Sequence, residues 1–203
     1  MKRHSSIVGS TFLCLVPMTL TLPPASSDES QSRDASLPIF EVEQGTEDEL
    51  PSEATRLVSV AQISESSVRF LGETDSARFW AAKNYSGDTC LISRLSDESD
   101  GHVGDAEILG GNCTPTDVAL RSGVVMKLEG AEGTAVSMHM LSEELSAEGS
   151  RALNREMSLV GGEVIQRGGT TLAVVPSDKA DGVSGLLVEA DSGHSIELEL
   201  ISE

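Results

Sequence analysis

Short apolar segments set between turn residues constrain the fold of this chain more than any other feature. From residue 68 onward, runs rich in Val, Leu, Ile and aromatic residues alternate with Gly, Asp and Ser. Such runs are typical of β-strands, and TDSA and NYSGD, which join neighbouring runs, are typical of hairpin turns. The runs are VRFLGE, ARFWAAK, TCLISRL, VVMKLEG, AVSMHML, EVIQR, TTLAVV, GLLVEA and SIELELI.

Helical features are confined to short stretches, which are PSEATRLVSVAQ, DVALRS and SEELSAEGSRALNREM. We therefore predict an α+β fold that is mainly β, with antiparallel strands and hairpins and two or three short helices. Residues 122–143 align with residues 184–203 when two positions are gapped, and both end in Ser-Glu. This similarity suggests two small β units of the same kind. The alternative is that two unrelated hairpins look alike at this length.

The first 27 residues have the pattern of a secretory signal peptide. A Lys-Arg-His start is followed by a mostly apolar run over residues 7–22 and by small residues at Ala25 and Ser27. The run is shorter than the ~20 residues that a membrane span needs. We predict a signal peptide over residues 1–27, with an uncleaved N-terminal anchor as the alternative, and hence a secreted or extracytoplasmic protein.

The next segment, residues 28–50, is rich in Ser, Asp and Glu and poor in apolar residues. Such a segment buries too little surface to offset its ordering entropy, so we predict a disordered acidic linker. Leu37 to Val42 (LPIFEV) interrupts it and is expected to dock on the domain or on a partner. The β-rich domain is then placed at residues 51–203, and a subdivision is considered near residues 145–156.

Charge limits the classes of partner. The formal net charge is −19, so binding to nucleic acid is not expected, because phosphate contacts need Lys and Arg. Contact with a membrane is expected only through an uncleaved N-terminal segment. Aromatic residues make up 3% of the chain, and we expect Phe70, Phe79 and Trp80 in the core, with a sugar-stacking role for Trp80 as the alternative.

Two cysteines remain once Cys14 leaves with the signal peptide. An even number of cysteines in an exported protein favours a disulfide, so we predict a bond between Cys90 and Cys113. The alternatives are two free thiols or a redox-active pair, although redox-active pairs usually have C-x-x-C spacing. Zinc would require further Cys or His residues at close spacing, which the sequence does not have.

The loop between the two cysteines is acidic. If Gly101 is aligned with the glycine of a helix-loop-helix calcium site, Glu98, Asp100 and Glu107 fall at ligand positions. Ser96, however, stands where that site has an Asp, and the flanking residues do not have helical patterns. We expect a closed, solvated surface loop, with calcium as the weaker alternative, and we predict no other cofactor.

Catalytic motifs are sparse. His139 alternates with apolar residues, which places it with Ser137 on the face of its strand that we expect to be exposed to solvent. A Ser-His-Asp arrangement that includes these two residues stays open, since triad members can lie far apart in sequence. The sequence has neither a G-x-S-x-G elbow nor a P-loop.

The function that these observations favour is a non-catalytic binding or interaction domain at the cell envelope. Its partner would be an envelope protein or a glycan. The alternatives are a cell-envelope hydrolase and a calcium-stabilised extracellular module.

The segment VRFLGETDSARFWAAKNYSGDTCLISR and the later NCTP carry a resemblance over about residues 68–128. They resemble small exported proteins of unknown function from high-GC Gram-positive bacteria, in which an LGE strand, an aromatic-AA strand and a CL strand precede a second cysteine and a short helix. The acidic insert is longer here. The resemblance implies export and a disulfide, and it implies no activity.

Overall fold

Ten β-strands form in the part of the chain that the structure, a computed structural model, describes: residues 36–95, 108–130 and 135–202. The strands are β1 (Arg69–Glu73), β2 (Ala77–Lys83), β3 (Thr89–Leu95), β4 (Ile108–Thr114), β5 (Val124–Glu129), β6 (Ala135–Leu141), β7 (Glu163–Arg167), β8 (Thr170–Pro176), β9 (Leu187–Glu189) and β10 (Ser195–Glu197). The α-helices are α1 (Thr55–Ala61), α2 (Thr116–Ser122) and α3 (Ala147–Leu159). Short 3-10 helices lie at Pro38–Glu41, Thr46–Asp48, Ser52–Ala54, Glu65–Ser67 and Ser177–Gly182. The predicted class, α+β and mainly antiparallel β, is confirmed.

The first sheet is a meander in the order β1-β2-β3-β4, and all of its pairings are antiparallel. Its two predicted hairpin turns form through local side-chain hydrogen bonds. Thr74 Oγ1 accepts from the N–H of Ala77 at 3.1 Å, and Asn84 Oδ1 accepts from the N–H of Asp88 at 2.8 Å. Turn residues that bond their own backbone in this way fix the register of the strands they join.

The second sheet has the order β5-β6-β8-β7 and is also antiparallel. Helix α3 connects β6 to β7, and the β7–β8 hairpin then places β8 beside β6. Ser146 caps α3, since its hydroxyl accepts from the N–H of Gly149 at 3.0 Å. This is the bond by which an N-cap serine satisfies a backbone N–H in the first turn of a helix, which would otherwise be unpaired.

The two sheets pack against each other through one apolar core. Alternate residues of β2 point inward, so that Phe79 joins Leu91 of β3, Met138 of β6 and Leu172 of β8. At one sheet edge the missing side chain of Gly110 leaves room for Leu128, because a Cβ at residue 110 would lie 2.5 Å from Leu128 Cδ1.

Each sheet also buries part of its outer face. Trp80 and Ile92 of the first sheet lie under α1 and the residues around it, which contribute Leu57 and Val58. The outer face of the second sheet lies under α3 and residues 198–201, which we call the C-terminal segment. The residues that make this second cluster include Leu141, Leu153, Met157, Ala173, Val175, Leu198 and Leu200.

Residues 36–50, which we expected to belong to a disordered linker, are packed onto the domain. Leu37 and Ile39 are 0% and 1% exposed and lie in the central core, so the docking of LPIFEV is on this chain's own domain. The acids Glu41 and Glu43 point to solvent. Composition indicated disorder because most residues here are polar, but the buried side chains of Leu37, Ile39 and Asp48 hold the segment in place.

The predicted signal peptide, residues 1–27, and the rest of the linker up to residue 35 lie outside the described residues. Within the described residues, no helix combines the length and apolar character needed to cross a bilayer.

The two stretches with similar sequences do form two hairpins, β5–β6 and β9–β10. The first belongs to a four-stranded sheet, whereas the second has strands of three residues and forms a sheet by itself. The two stretches therefore share a hairpin and not a larger repeated unit. The region near residues 145–156 carries the first part of α3, and Leu153 packs under the second sheet.

Candidate functional site

The predicted disulfide between Cys90 and Cys113 is present, with an S–S distance of 2.06 Å. The two residues stand opposite each other in the register of β3 and β4, and their Cα atoms are 4.0 Å apart. The bond lies on the outer face of the first sheet, where Cys90 is fully buried. A disulfide of this kind indicates an oxidising setting.

The candidate calcium ligands Glu98, Asp100 and Glu107 lie outside the described residues, as does His102. The calcium hypothesis therefore stays a prediction. Among residues 36–95, 108–130 and 135–202, no cluster of three or more His, Cys, Asp or Glu side chains is arranged to hold a metal ion.

His139 is fully buried, so the expectation that it lies on a solvent-exposed face is wrong. Its ring bridges two backbone groups: Nε2 lies 2.7 Å from the carbonyl oxygen of Ser122, and Nδ1 accepts from the N–H of Glu199 at 2.9 Å. These partners require the neutral tautomer with the proton on Nε2. Burial lowers the pKa of His139 to about 4, and the bond to Ser122 opposes this shift only in part.

Ser137 lies on the same outer face of β6 and is also fully buried. Its hydroxyl oxygen accepts from the N–H of Ile201 at 2.7 Å. The residues that we considered as part of a Ser-His-Asp arrangement thus hold the C-terminal segment against the second sheet. This face of β6 is inaccessible to solvent because Leu198 and Leu200 of this segment cover it.

A second serine and histidine meet a carboxylate at the surface. Ser192 Oγ lies 2.7 Å from Glu143 Oε2 and 2.6 Å from His194 Nδ1, and His194 Nε2 lies 3.4 Å from Glu143 Oε1. In a nucleophilic triad the serine donates to the imidazole and the acid binds the other ring nitrogen. Here the carboxylate contacts both partners and competes for the serine proton. The cluster ties the β9–β10 turn to the residues after β6.

Trp80 is fully buried and Phe70 is 8% exposed, so their predicted place in the core is confirmed and the sugar-stacking alternative for Trp80 is wrong. Their rings are 5.8 Å apart. The guanidinium of Arg78 lies 4.9 Å from the centre of the Phe70 ring and 5.4 Å from that of Trp80, within the range of a cation–π contact. This cluster stabilises the sheet and presents no open aromatic face to a ligand.

A groove of about 430 Å³ lies beside α1, and we call it the Asp48 groove. Its rim is polar and exposed, with Gln44, Glu49 and Glu65 among its members. Its floor, by which we mean the half-buried and buried lining residues, is apolar except for Asp48. The lining residues are Gln44, Asp48, Glu49, Leu50, Pro51, Ser52, Ala54, Thr55, Val58, Glu65, Ser66 and Val68.

Asp48 fixes the base of this groove. It is 3% exposed, and its two carboxylate oxygens each accept a backbone N–H at 2.6 Å, from Gly45 and from Phe70. Bonds from backbone N–H groups to a carboxylate are among the strong ones in proteins. They join the N-terminal segment to β1 across 22 residues of sequence.

Sequence reasoning missed the groove because it assigned residues 44–50 to a linker. One signal was present, since LPIFEV interrupts the polar segment with residues that a disordered linker does not need. The pairing of Asp48 with β1 had no comparable signal, because an aspartate in an acidic run is ordinarily solvated.

Comparison of the chain with protein-family models, curated proteins and solved structures finds no match.

Proposed function

We propose that this protein is a non-catalytic, extracytoplasmic binding domain that engages a partner at the cell envelope through the Asp48 groove. The observation that carries the proposal is the groove itself, an open depression of about 430 Å³ with a polar rim and an apolar floor. A volume of this order lies in the range of ligand sites, which is roughly 300–1,000 Å³.

The walls of the groove are held in place without a ligand. Asp48 binds two backbone N–H groups, and Gln44 Nε2 donates to the carbonyl oxygens of Glu65 and Val68 at 3.0 and 3.4 Å. Arg69, next to the groove, donates to the carbonyl oxygens of Val42, Ser66 and Val68 at 2.7 to 3.0 Å. A site that is already ordered loses less entropy on binding, which supports a recognition role.

The proposed location has two independent supports. The first is the sequence pattern of residues 1–27, which is that of an export signal. The second is the Cys90–Cys113 disulfide, a bond that persists in oxidising compartments. The resemblance of residues 68–128 to small exported proteins agrees with both.

The contacts of Ser137 and His139 favour binding over hydrolysis. A general base and a nucleophile must lie within hydrogen-bond reach of a substrate. Both side chains are fully buried and bonded to backbone groups of residues 122, 199 and 201. No substrate reaches them while the C-terminal segment is in place.

The proposal can be tested with the full-length chain expressed in a high-GC Gram-positive host. A photo-crosslinking amino acid replaces Ser52, an exposed residue of the groove, or Glu163, an exposed residue of β7 outside it. We expect the protein in the extracytoplasmic fraction and a crosslinked adduct with one defined envelope component from position 52, but not from position 163.

Three results would refute the proposal. These are a full-length protein that stays in the cytosol with its leader intact, equal crosslinking from the two positions, and covalent labelling of the folded protein by a fluorophosphonate, a reagent for active serine nucleophiles.

A further inference from the structure

The free charges on the Asp48 groove are all of one sign. Asp48, Glu49 and Glu65 line it, and no Lys or Arg is among its lining residues. Asp48 is already occupied by two backbone N–H groups. Glu49 and Glu65 are exposed, and within the described residues neither side chain has a hydrogen bond or an ion pair. Two carboxylates on the groove thus have no direct partner among the described residues, while the guanidinium of the neighbouring Arg69 is bonded to backbone carbonyl oxygens.

The apolar floor adds a second requirement. Leu50, Pro51 and Val58 are half-buried at the base of the groove, and Ala54 and Val68 are fully covered. An arginine or lysine side chain matches this combination, because its methylene stem packs on apolar surface while its charged end reaches an acid at the edge. A simple metal ion would use the acids and leave the floor uncovered.

The geometry points to a peptide ligand of defined chemistry. We propose that the Asp48 groove binds an extended segment of an extracytoplasmic protein in which arginine or lysine residues alternate with apolar residues. This inference rests on the proposed function and specifies its partner: the cationic side chains pair with Glu49 and Glu65, and the apolar ones cover Leu50 and Val58.

The net charge of the chain, −19, attracts any cation to any part of its surface, so binding alone is not sufficient evidence. The test therefore needs a control with the same change of charge elsewhere. Glu163 and Glu189 are exposed acids on β7 and β9, outside the groove. The double variant E163Q/E189Q matches E49Q/E65Q in charge and in the chemistry of the substitution.

The experiment measures the affinity of the full mature chain for the peptide acetyl-Leu-Arg-Leu-Arg-amide by isothermal titration calorimetry. The acidic peptide acetyl-Leu-Glu-Leu-Glu-amide and a neutral N-acetylglucosamine oligomer serve as comparison ligands. Thermal melts check that each variant is folded. We expect saturable binding of the arginine peptide only, weakened about fivefold or more by E49Q/E65Q and less than about twofold by E163Q/E189Q.

Equal weakening in the two double variants would overturn the inference, because the attraction would then be non-specific. Absence of saturable binding, or preference for the neutral glycan, would overturn it as well. These failures are distinguishable from failure of the proposed function, since crosslinking from position 52 to an envelope component would still occur if the groove bound a partner of different chemistry.

Discussion

His139 Nδ1 accepts a hydrogen bond from the backbone N–H of Glu199, which lies 60 residues later in the chain. With the neighbouring bond from Ile201 N–H to Ser137 Oγ, it fixes the C-terminal segment on the outer face of β6. A ring nitrogen can accept this bond only while it carries no proton. The attachment of the segment therefore depends on the charge of one buried imidazole.

The first prediction concerns acid stability. The pKa of His139 is about 4 in the folded protein, against 6.5 for a free histidine. A depressed folded pKa means that the neutral ring contributes stability above the unfolded pKa, and that this contribution is lost as pH falls from there through the folded pKa. The difference between the folded and unfolded pKa values of His139 corresponds to ~3 kcal/mol of unfolding free energy.

Urea unfolding from neutral pH down to pH 4 measures this effect when wild type is compared with H139Q. The carboxylates titrate in both proteins, so the difference between the two free energies of unfolding isolates the imidazole. We expect wild type to lose more stability than H139Q over this range, by ~3 kcal/mol. Parallel curves for the two proteins would contradict the assigned role of His139.

The second prediction concerns the disulfide. Replacing both cysteines in C90A/C113A removes a constraint on the unfolded chain, and we expect the free energy of unfolding to fall by about 3 kcal/mol. Wild type treated with a reducing agent should show a similar loss. Mass analysis without reduction should find peptides containing Cys90 and Cys113 joined, and two alkylatable thiols in the native protein would refute the bond.

The third prediction concerns the C-terminal segment. Leu198 is fully buried in the cluster under the second sheet, whereas Leu187 of β9 is 65% exposed. We expect L198A to lower the free energy of unfolding by about 2–5 kcal/mol, because it leaves a cavity, and L187A to change it by less than ~0.5 kcal/mol. Chemical denaturation measures the free energy of unfolding of both variants. An equal decrease in the two would mean that the C-terminal segment is not packed as described.

The fourth prediction concerns Asp48. The variant D48N loses a charge-assisted partner for the N–H groups of Gly45 and Phe70, which we expect to cost about 1–3 kcal/mol. Amide hydrogen exchange should become faster at these two residues, and proteolysis within residues 36–50 should become easier. E43Q alters an exposed acid in the same segment and serves as the control. Similar exchange in the two variants would show that Asp48 does not anchor the segment.

Local sequence patterns predicted nine of the ten described strands, the helices and the hairpin turns, because these depend on neighbours along the chain. They missed β4, whose sequence ILGGNCT is rich in glycine and poor in the β-branched and aromatic residues that are typical of strands. Phe79 and Trp80 illustrate this, since alternation in β2 sends one to each face of the first sheet and both faces are buried. The environment of β6 was not predictable in the same way. His139 is shielded from water by Leu198 and Leu200. No pattern in the sequence around β6 indicates that these two distant residues pack over it.

The groove escaped prediction for a similar reason. Its walls come from residues 44–58 and from residues 65–68, on either side of a turn whose geometry the sequence does not give. Acidic composition described Glu41 and Glu43 well, since both are exposed. It failed for Asp48, which is buried because β1 offers it a backbone N–H that no sequence pattern reveals.

The bond between His139 and Glu199 also links the folding of β6 to a segment that is synthesised 60 residues later. The Nδ1 atom of His139 and the hydroxyl of Ser137 do not have their backbone partners until residues 199–201 have been made and have reached the second sheet. The outer face of β6 therefore reaches its final structure only after that segment has docked.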